Sequence, residues 1–254
     1  MAERSSPLSP FPRGAVVPIA ALAVWWVALS AGWITGPMAI HPLQVLEAPF
    51  LDPSGRELWA ALAASIMRVV VGGCIGGIAG LVLGFVAGSY RWAGLALAPS
   101  IHAVRQVALF AWIPLLTAWF GNGESTKLVF TGLSTFFPLF LATEQGVRQV
   151  PSSLIEVAKT LNLKRRTRIR RLYLPSALPS IYVGLQIAAL SAWIGTIGAE
   201  YAIGNGRGLG SYIASARDQF RMDIVIVGVF TLAAGGVLLA AIIRRVTSMI
   251  SPWS

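Results

Sequence analysis

Residues 69–89 run for 21 positions without a charged side chain. A helix rises about 1.5 Å per residue, so this block is long enough to cross the roughly 30 Å hydrocarbon core of a bilayer. Five more uncharged apolar blocks occur, at residues 15–34, 107–120, 128–143, 175–199 and 224–243, the block at 107–120 preceded by a possible interfacial helix from Leu95. Over the whole chain of 254 residues, 56% are hydrophobic and 12% charged. An average soluble domain carries about 25% charged residues, so too little polar surface is left to cover a compact soluble globule. The pattern predicts one all-α membrane domain over residues 1–254, a polytopic helical bundle of six transmembrane helices. Residues 15–34 are too long for a signal-peptide core and lack a clear small-x-small cleavage site, so they read as an anchor.

Several chemistries are excluded early. Cys74 is the only cysteine, so neither an intrachain disulfide nor a thiolate metal cluster can form. The only histidines, His41 and His102, are far apart in the chain, and a zinc site needs three or four converging ligands. His41 reads as a loop residue before Pro42, and His102 as a residue near a helix end. Residues 121–127 (GNGESTK) hold glycines and a lysine without phosphate-loop spacing. The ten acidic residues are scattered, which argues against a membrane enzyme with a clustered catalytic site. No catalytic residue, cofactor site or metal site is expected in this chain.

The net charge is +10. In a soluble protein this would point to nucleic acid. In a membrane protein it first reports sidedness, because cytoplasmic loops are rich in Lys and Arg. Six spans place both termini on one side. With the termini inside, thirteen basic residues are cytoplasmic, while Arg56, Lys127, Arg207, Arg217 and Arg221 are outside. The termini and the segment 145–174 are therefore expected to be cytoplasmic, and no nucleic-acid partner is needed.

In the second span, Gly72, Gly76, Gly80, Gly84 and Gly88 recur every four residues, with Gly73 and Gly77 beside them. That spacing forms one row on a helix and lets a neighbouring helix approach closely. Cys74 fits as a small packing residue. Polar side chains inside spans tend to face the interior or a cavity. Thr117, Thr131, Ser134, Thr135, Ser191, Thr196 and Glu200 are thus candidates for a translocation path, with local hydroxyl-to-carbonyl bonds as the competing role. Glu200 fits a structural or gate-edge position. Arg68 and Arg105 are expected to reach lipid headgroups or to pair internally. Residues 204–210 (GNGRGLG) lack a preceding strand, so they do not read as a dinucleotide loop. A short lid helix is expected at 211–220, with Arg207, Arg217 and Arg221 able to meet acidic partners or anions.

The longest basic segment lies between the fourth and fifth spans. Residues 151–175 read PSSLIEVAKTLNLKRRTRIRRLYLP. Ser153 and Glu156 have capping-box spacing. Leu154, Val157, Ala158 and Leu161 give an apolar face. Asn162 is suited to a left-handed helix stop. A second helix is expected over 164–172, ending before Pro175. The basic run, Lys164, Arg165, Arg166, Arg168, Arg170 and Arg171, could serve topology and lipid phosphates alone, or present a docking surface.

This loop resembles that of the permease subunits of ABC importers, whose pattern is EAA, three residues, G, nine residues, then I-x-L-P. Glu156-Val157-Ala158 stands at EAA, Asn162 at the glycine, Leu172 at the isoleucine and Leu174-Pro175 at the end. Ile113-Pro114-Leu115, Trp119-Phe120-Gly121, Gly123-Glu124, Phe136-Phe137-Pro138, Ala192-Trp193, Ala199-Glu200 and Gly208-Leu209-Gly210 resemble the subgroup for nitrate, taurine, aliphatic sulfonates and some thiamine precursors. The resemblance implies a type I importer fold in a bacterial plasma membrane. It implies a second permease copy, a separate ATPase subunit carrying ATP and Mg, and an extracytoplasmic substrate-binding protein. It assigns ATPase coupling to Glu156, Val157, Ala158, Asn162, Lys164, Arg165, Arg166, Arg168, Leu172 and Pro175. A secondary transporter or channel is the alternative, although neither the loop nor the glycine stripe has a second copy.

Overall fold

The computed structural model describes residues 16–33, 35, 36, 40 and 42–250. Among them every regular element is a helix. His41, both chain ends with Arg4 and Arg13, and the limits of the first expected span at Ala15 and Ile34 lie outside the described residues. The order is α1 Val16–Ser30, α2 Pro42–Leu51, α3 Pro53–Ser89, α4 Arg91–Gln106, a 3-10 turn Leu109–Trp112, α5 Ile113–Phe120, α6 Glu124–Arg148, α7 Ser152–Thr160, α8 Arg165–Arg168, a π turn Ile169–Tyr173, α9 Leu174–Ile203, α10 Leu209–Asp218 and α11 Met222–Ile250.

Among the described residues, four helices are long and apolar enough to cross a membrane: Gly55–Ser89, Glu124–Arg148, Arg165–Ile203 and Met222–Met249. The expected count of six is not reproduced. The described helix of the first span has 15 residues, about 22 Å and short of the hydrocarbon core. The third span is not one helix. Arg91–Gln106 and Leu109–Phe120 meet at a bend of 93°. Counted together they make a fifth, broken span.

The bend has a topological reason. Gly72 of α3 lies against Leu128 and Thr131 of α6, Gly80 against Phe136, and Gly88 against Val147. Both helices advance in the same direction, so they are parallel. The chain between them must return the length of the bundle, and α4 with α5 makes that return. The α9 helix runs opposite to α6, with Gly184 against Ala142 and Gly195 against Ser134. The α11 helix opposes α9, pairing Trp193 with Leu232 and Gln186 with Thr247.

The glycine stripe is the seam between α3 and α6. A Cβ on Gly72 would fall 2.9 Å from Leu128 O, and one on Gly80 2.7 Å from Phe136 O. At Gly84 and Gly88 the same atom would stand 2.5 Å from Phe140 O and 2.7 Å from Val147 Cβ. Gly73 and Gly77 lie beside the seam, with nearest neighbours at 3.7 Å and 3.5 Å. Cys74 is exposed on α3 and takes no part in the seam.

Candidate functional site

The segment between α6 and α9 protrudes from one end of the bundle. Pro151 is the N-cap of α7 and gives no side-chain hydrogen bond. The helix starts at Ser152, which puts Ser153 and Glu156 inside it. The expected capping box is therefore not formed. Ala158 is buried, but Leu154, Val157 and Leu161 are 46%, 55% and 64% exposed. The apolar face expected on this helix thus turns outward at three of its four positions. Glu156 is also exposed.

Asn162 terminates α7 with φ +46°. Its N–H donates to Lys159 O at 2.9 Å, and Leu163 N–H donates to Ala158 O at 3.1 Å. This pair of bonds is a Schellman stop, with asparagine in the place that glycine usually fills. A β-branched side chain clashes in this backbone region. Asn162→Val is expected to destabilise the stop by about 1–2 kcal/mol, and Asn162→Gly to leave it intact. Hydrogen exchange over 152–163 in nanodiscs checks this: unchanged amide protection in the valine variant would refute it.

After Asn162 the chain re-enters a helix at Arg165, and this helix does not end before Pro175. The π turn at 169–173 joins α8 to α9 without a break, and Leu174 N–H bonds Ile169 O five residues back. The wider turn absorbs the hydrogen bond that Pro175 cannot donate. Lys164, Arg165, Arg166 and Pro175 are exposed, while Arg168 and Leu172 are half-buried. The Arg165 guanidinium stacks 4.3 Å from the Tyr90 ring centre at the α3–α4 corner, so the basic run is anchored to the helices beneath it. Nearby, His102 Nε2 lies 3.0 Å from buried Glu144 Oε2, tying α4 to α6.

The opposite end holds a buried charge cluster. Arg68 Nη1 donates to Glu200 Oε1 at 2.6 Å, while Nε and Nη2 donate to the two oxygens of Glu124, each at 2.6 Å. Ser65 Oγ donates to the Glu200 carboxylate and accepts from Leu209 N–H at 2.8 Å. Gly210 N–H donates to Glu200 Oε2 at 2.9 Å. Lys127 is buried, donates to Asn205 O, and stands 3.8 Å from Glu124. The glycine-rich loop at 204–210 is thus clasped to α3 and α6. The internal pairing expected of Arg68 is present. Its partners, 56 and 132 residues away, carry no local signal in the sequence.

The α10 helix takes the place of the expected lid, two residues earlier. Arg221 is engaged rather than free, bonding Asp223 and Asp52. Those two carboxylates hold its guanidinium pKa above the ordinary arginine value. Arg217 bonds Asp218 and the Tyr201 hydroxyl, and Arg207 is exposed.

The path candidates divide. Thr117 is half-buried and donates to Pro114 O at 2.9 Å. Thr131 donates to Lys127 O, so in its 2.7 Å contact with Thr196 the latter is the donor. Thr196 and Glu200 are fully buried. Thr135 donates to Thr131 O. Ser134, which donates to Phe130 O, and Ser191 do line a cavity of about 760 Å³ between the helix break, α6 and α9. Arg105 lines it as well, and among the described residues no acid pairs with it.

Comparison with known proteins fits this architecture. Residues 78–252 match the family model of binding-protein-dependent transport system inner membrane components. The chain is 36% identical over 222 residues to the aliphatic sulfonates transport permease protein SsuC of Escherichia coli K12, covering 87% of this chain and 84% of that one. It is 31% identical to the taurine transport system permease protein TauC of the same organism, over 91% of this chain and 86% of that one. A solved chain of the inward-facing MetNI methionine ABC transporter shares the fold, with a TM-score of 0.67, 18% identity, and coverage of 79% of this chain and 99% of its own. The chain with this parallel α3–α6 seam, broken return helix and protruding basic loop is thus a multi-pass ABC importer permease, and it belongs to the family of binding-protein-dependent transport system inner membrane components.

Proposed function

We propose that this permease carries a small organic or inorganic anion, with an alkyl sulfonate or taurine as the nearest models, after delivery by an extracytoplasmic binding protein. The named activities of the sulfonate and taurine relatives support the substrate class. Two copies of the chain pair in a bacterial plasma membrane, with lipid around the apolar faces. ATP and Mg act on a separate ATPase subunit. Both termini and the 145–174 loop face the cytoplasm.

The observation that carries the coupling assignment is the outward stripe of Leu154, Val157 and Leu161. Three apolar side chains on a short helix outside the bundle are left about half exposed by the chain, and the exposed basic run lies beside them. Such a combination fits a partner groove with an apolar floor and an acidic rim. Glu156, Val157, Ala158, Asn162, Lys164, Arg165, Arg166, Arg168, Leu172 and Pro175 form the coupling element in this reading. The long α9 begins in the same continuous helix, so a push on the loop tilts a spanning helix directly.

A single cysteine tests docking and sidedness together. In a Cys74→Ala chain, Arg166→Cys is expected to cross-link to the ATPase in the assembled complex. In intact cells it should resist an impermeant maleimide until the membrane is opened. Labelling from outside would reverse the topology, and absence of any cross-link would remove the loop from the interface.

A further inference from the structure

The largest polar feature left without a role is Arg105. It sits in the last turn of α4, where the helix dipole favours a cation. It lines the 760 Å³ cavity, and among the described residues it makes no hydrogen bond or ion pair. Arg105 is exposed in the single chain and borders this open cavity, whereas Arg68, the other arginine singled out beside a span, is buried and has two carboxylates. An exposed guanidinium that lines a cavity and has no carboxylate is free to take water or an anion there.

The backbone points the same way. Val107 and Ala108 are extended, with ψ of 128° and 125°, so the chain leaves helical bonding beside the cavity. Irregular backbone at membrane depth is tolerated where it borders a cavity, and interrupted helices are where solute sites form. The remaining walls are mostly apolar, with Phe137, Leu141, Val183 and Ile187, while Ser134, Ser180, Ser191, Gln106 and Gln145 add polar groups.

We propose that this cavity is a binding site for a small anion carrying a short apolar chain, with Arg105 reading the anionic head and the α6–α9 walls taking the tail. The proposal rests on the importer reading above and narrows it. A compact inorganic anion would give up hydration and gain nothing from Phe137 or Val183. An alkyl sulfonate pairs its head with the guanidinium fork. Each methylene buried on the walls tightens binding by about fourfold at most.

The test is isothermal titration of the permease–ATPase complex in lipid nanodiscs without binding protein. The probes are methanesulfonate, butane-1-sulfonate, nitrate and butylammonium. Butane-1-sulfonate should bind more tightly than methanesulfonate by about tenfold or more, and neither nitrate nor butylammonium should displace it. Arg105→Gln should weaken butane-1-sulfonate by about tenfold or more, and Arg105→Lys should restore most of the loss. Equal affinity in Arg105→Gln and the unaltered chain would overturn the proposal. So would no binding to the unaltered complex, or displacement by nitrate at equal concentration. Dissociation of the permease pair by Arg105→Gln would also overturn it, because the cavity wall would then be a subunit interface. A chain that retained no ATPase would end the importer reading instead, and the same titration on the full chain alone would still decide the site.

Discussion

Glu200→Ala is expected to lower stability by about 3–5 kcal/mol, because it strips a buried cation of one carboxylate and leaves buried donors without acceptors. Glu200 is fully buried and accepts from Arg68, Ser65 and Gly210 N–H. The cluster balances two cations, Arg68 and Lys127, against two anions, Glu124 and Glu200. Loss of Glu200 leaves an excess positive charge on the largely buried Arg68 and Lys127 side chains. Glu124 does not compensate fully, since its side chain is 58% exposed and already bonded to Arg68. Replacing both partners with apolar residues, as in Arg68→Met with Glu200→Leu, should recover much of the loss. Thermal unfolding of the purified permease in nanodiscs, followed by size exclusion, measures all three chains. A single Glu200→Ala variant within about 1 kcal/mol of the unaltered chain would mean that the pair is not a structural clasp.

Features governed by local chemistry were legible in the sequence. Asn162 follows an apolar helix face at a place where the chain must stop, and asparagine tolerates the left-handed region, so its φ of +46° follows from the residue itself. The glycine stripe likewise carries its geometry in its spacing, because four residues return to nearly the same helix face. The capping box failed for a reason of frame. Pro151 takes the N-cap position, and a shift of two residues leaves Ser153 and Glu156 unable to reach each other's backbone.

Features set by distant contacts were not legible. Residues 105–110 contain neither glycine nor proline, so nothing marks the 93° bend. The available signs were length, since a 14-residue block reaches only about 21 Å as a helix, and Pro114, which suits a helix start just after the bend. Arg68 and Arg105 look alike in the sequence, each a lone cation in or near an apolar block. One meets carboxylates from α6 and α9, and the other faces a cavity. Only the parallel pairing of α3 with α6, and the return path it forces on α4 and α5, separates them.

That pairing makes the sign of a glycine substitution depend on which side of the seam it falls. A Cβ at Gly76 would lie on the carbonyl oxygen of Gly132, within the backbone of α6, where no side-chain rotation relieves the clash. Gly76→Ala is therefore expected to force α3 and α6 apart along the largest interface of the bundle. The expected cost is about 2–4 kcal/mol, and more for Gly76→Val. One position on, Gly77→Ala would meet only Leu139 Cδ2 at 3.5 Å and Thr135 Cγ2 at 3.6 Å. There the better helix propensity of alanine governs, and the change is expected to be neutral or to stabilise by up to about 1 kcal/mol. Membrane insertion should be unaffected in both, since neither substitution lowers the apolar character of α3. The difference should appear in the folded fraction after extraction and in the unfolding midpoint. Equal midpoints for Gly76→Ala and Gly77→Ala would show that α3 and α6 do not touch along this face. A lowered midpoint for Gly77→Ala alone would rotate the seam by one residue, roughly 100° around the helix.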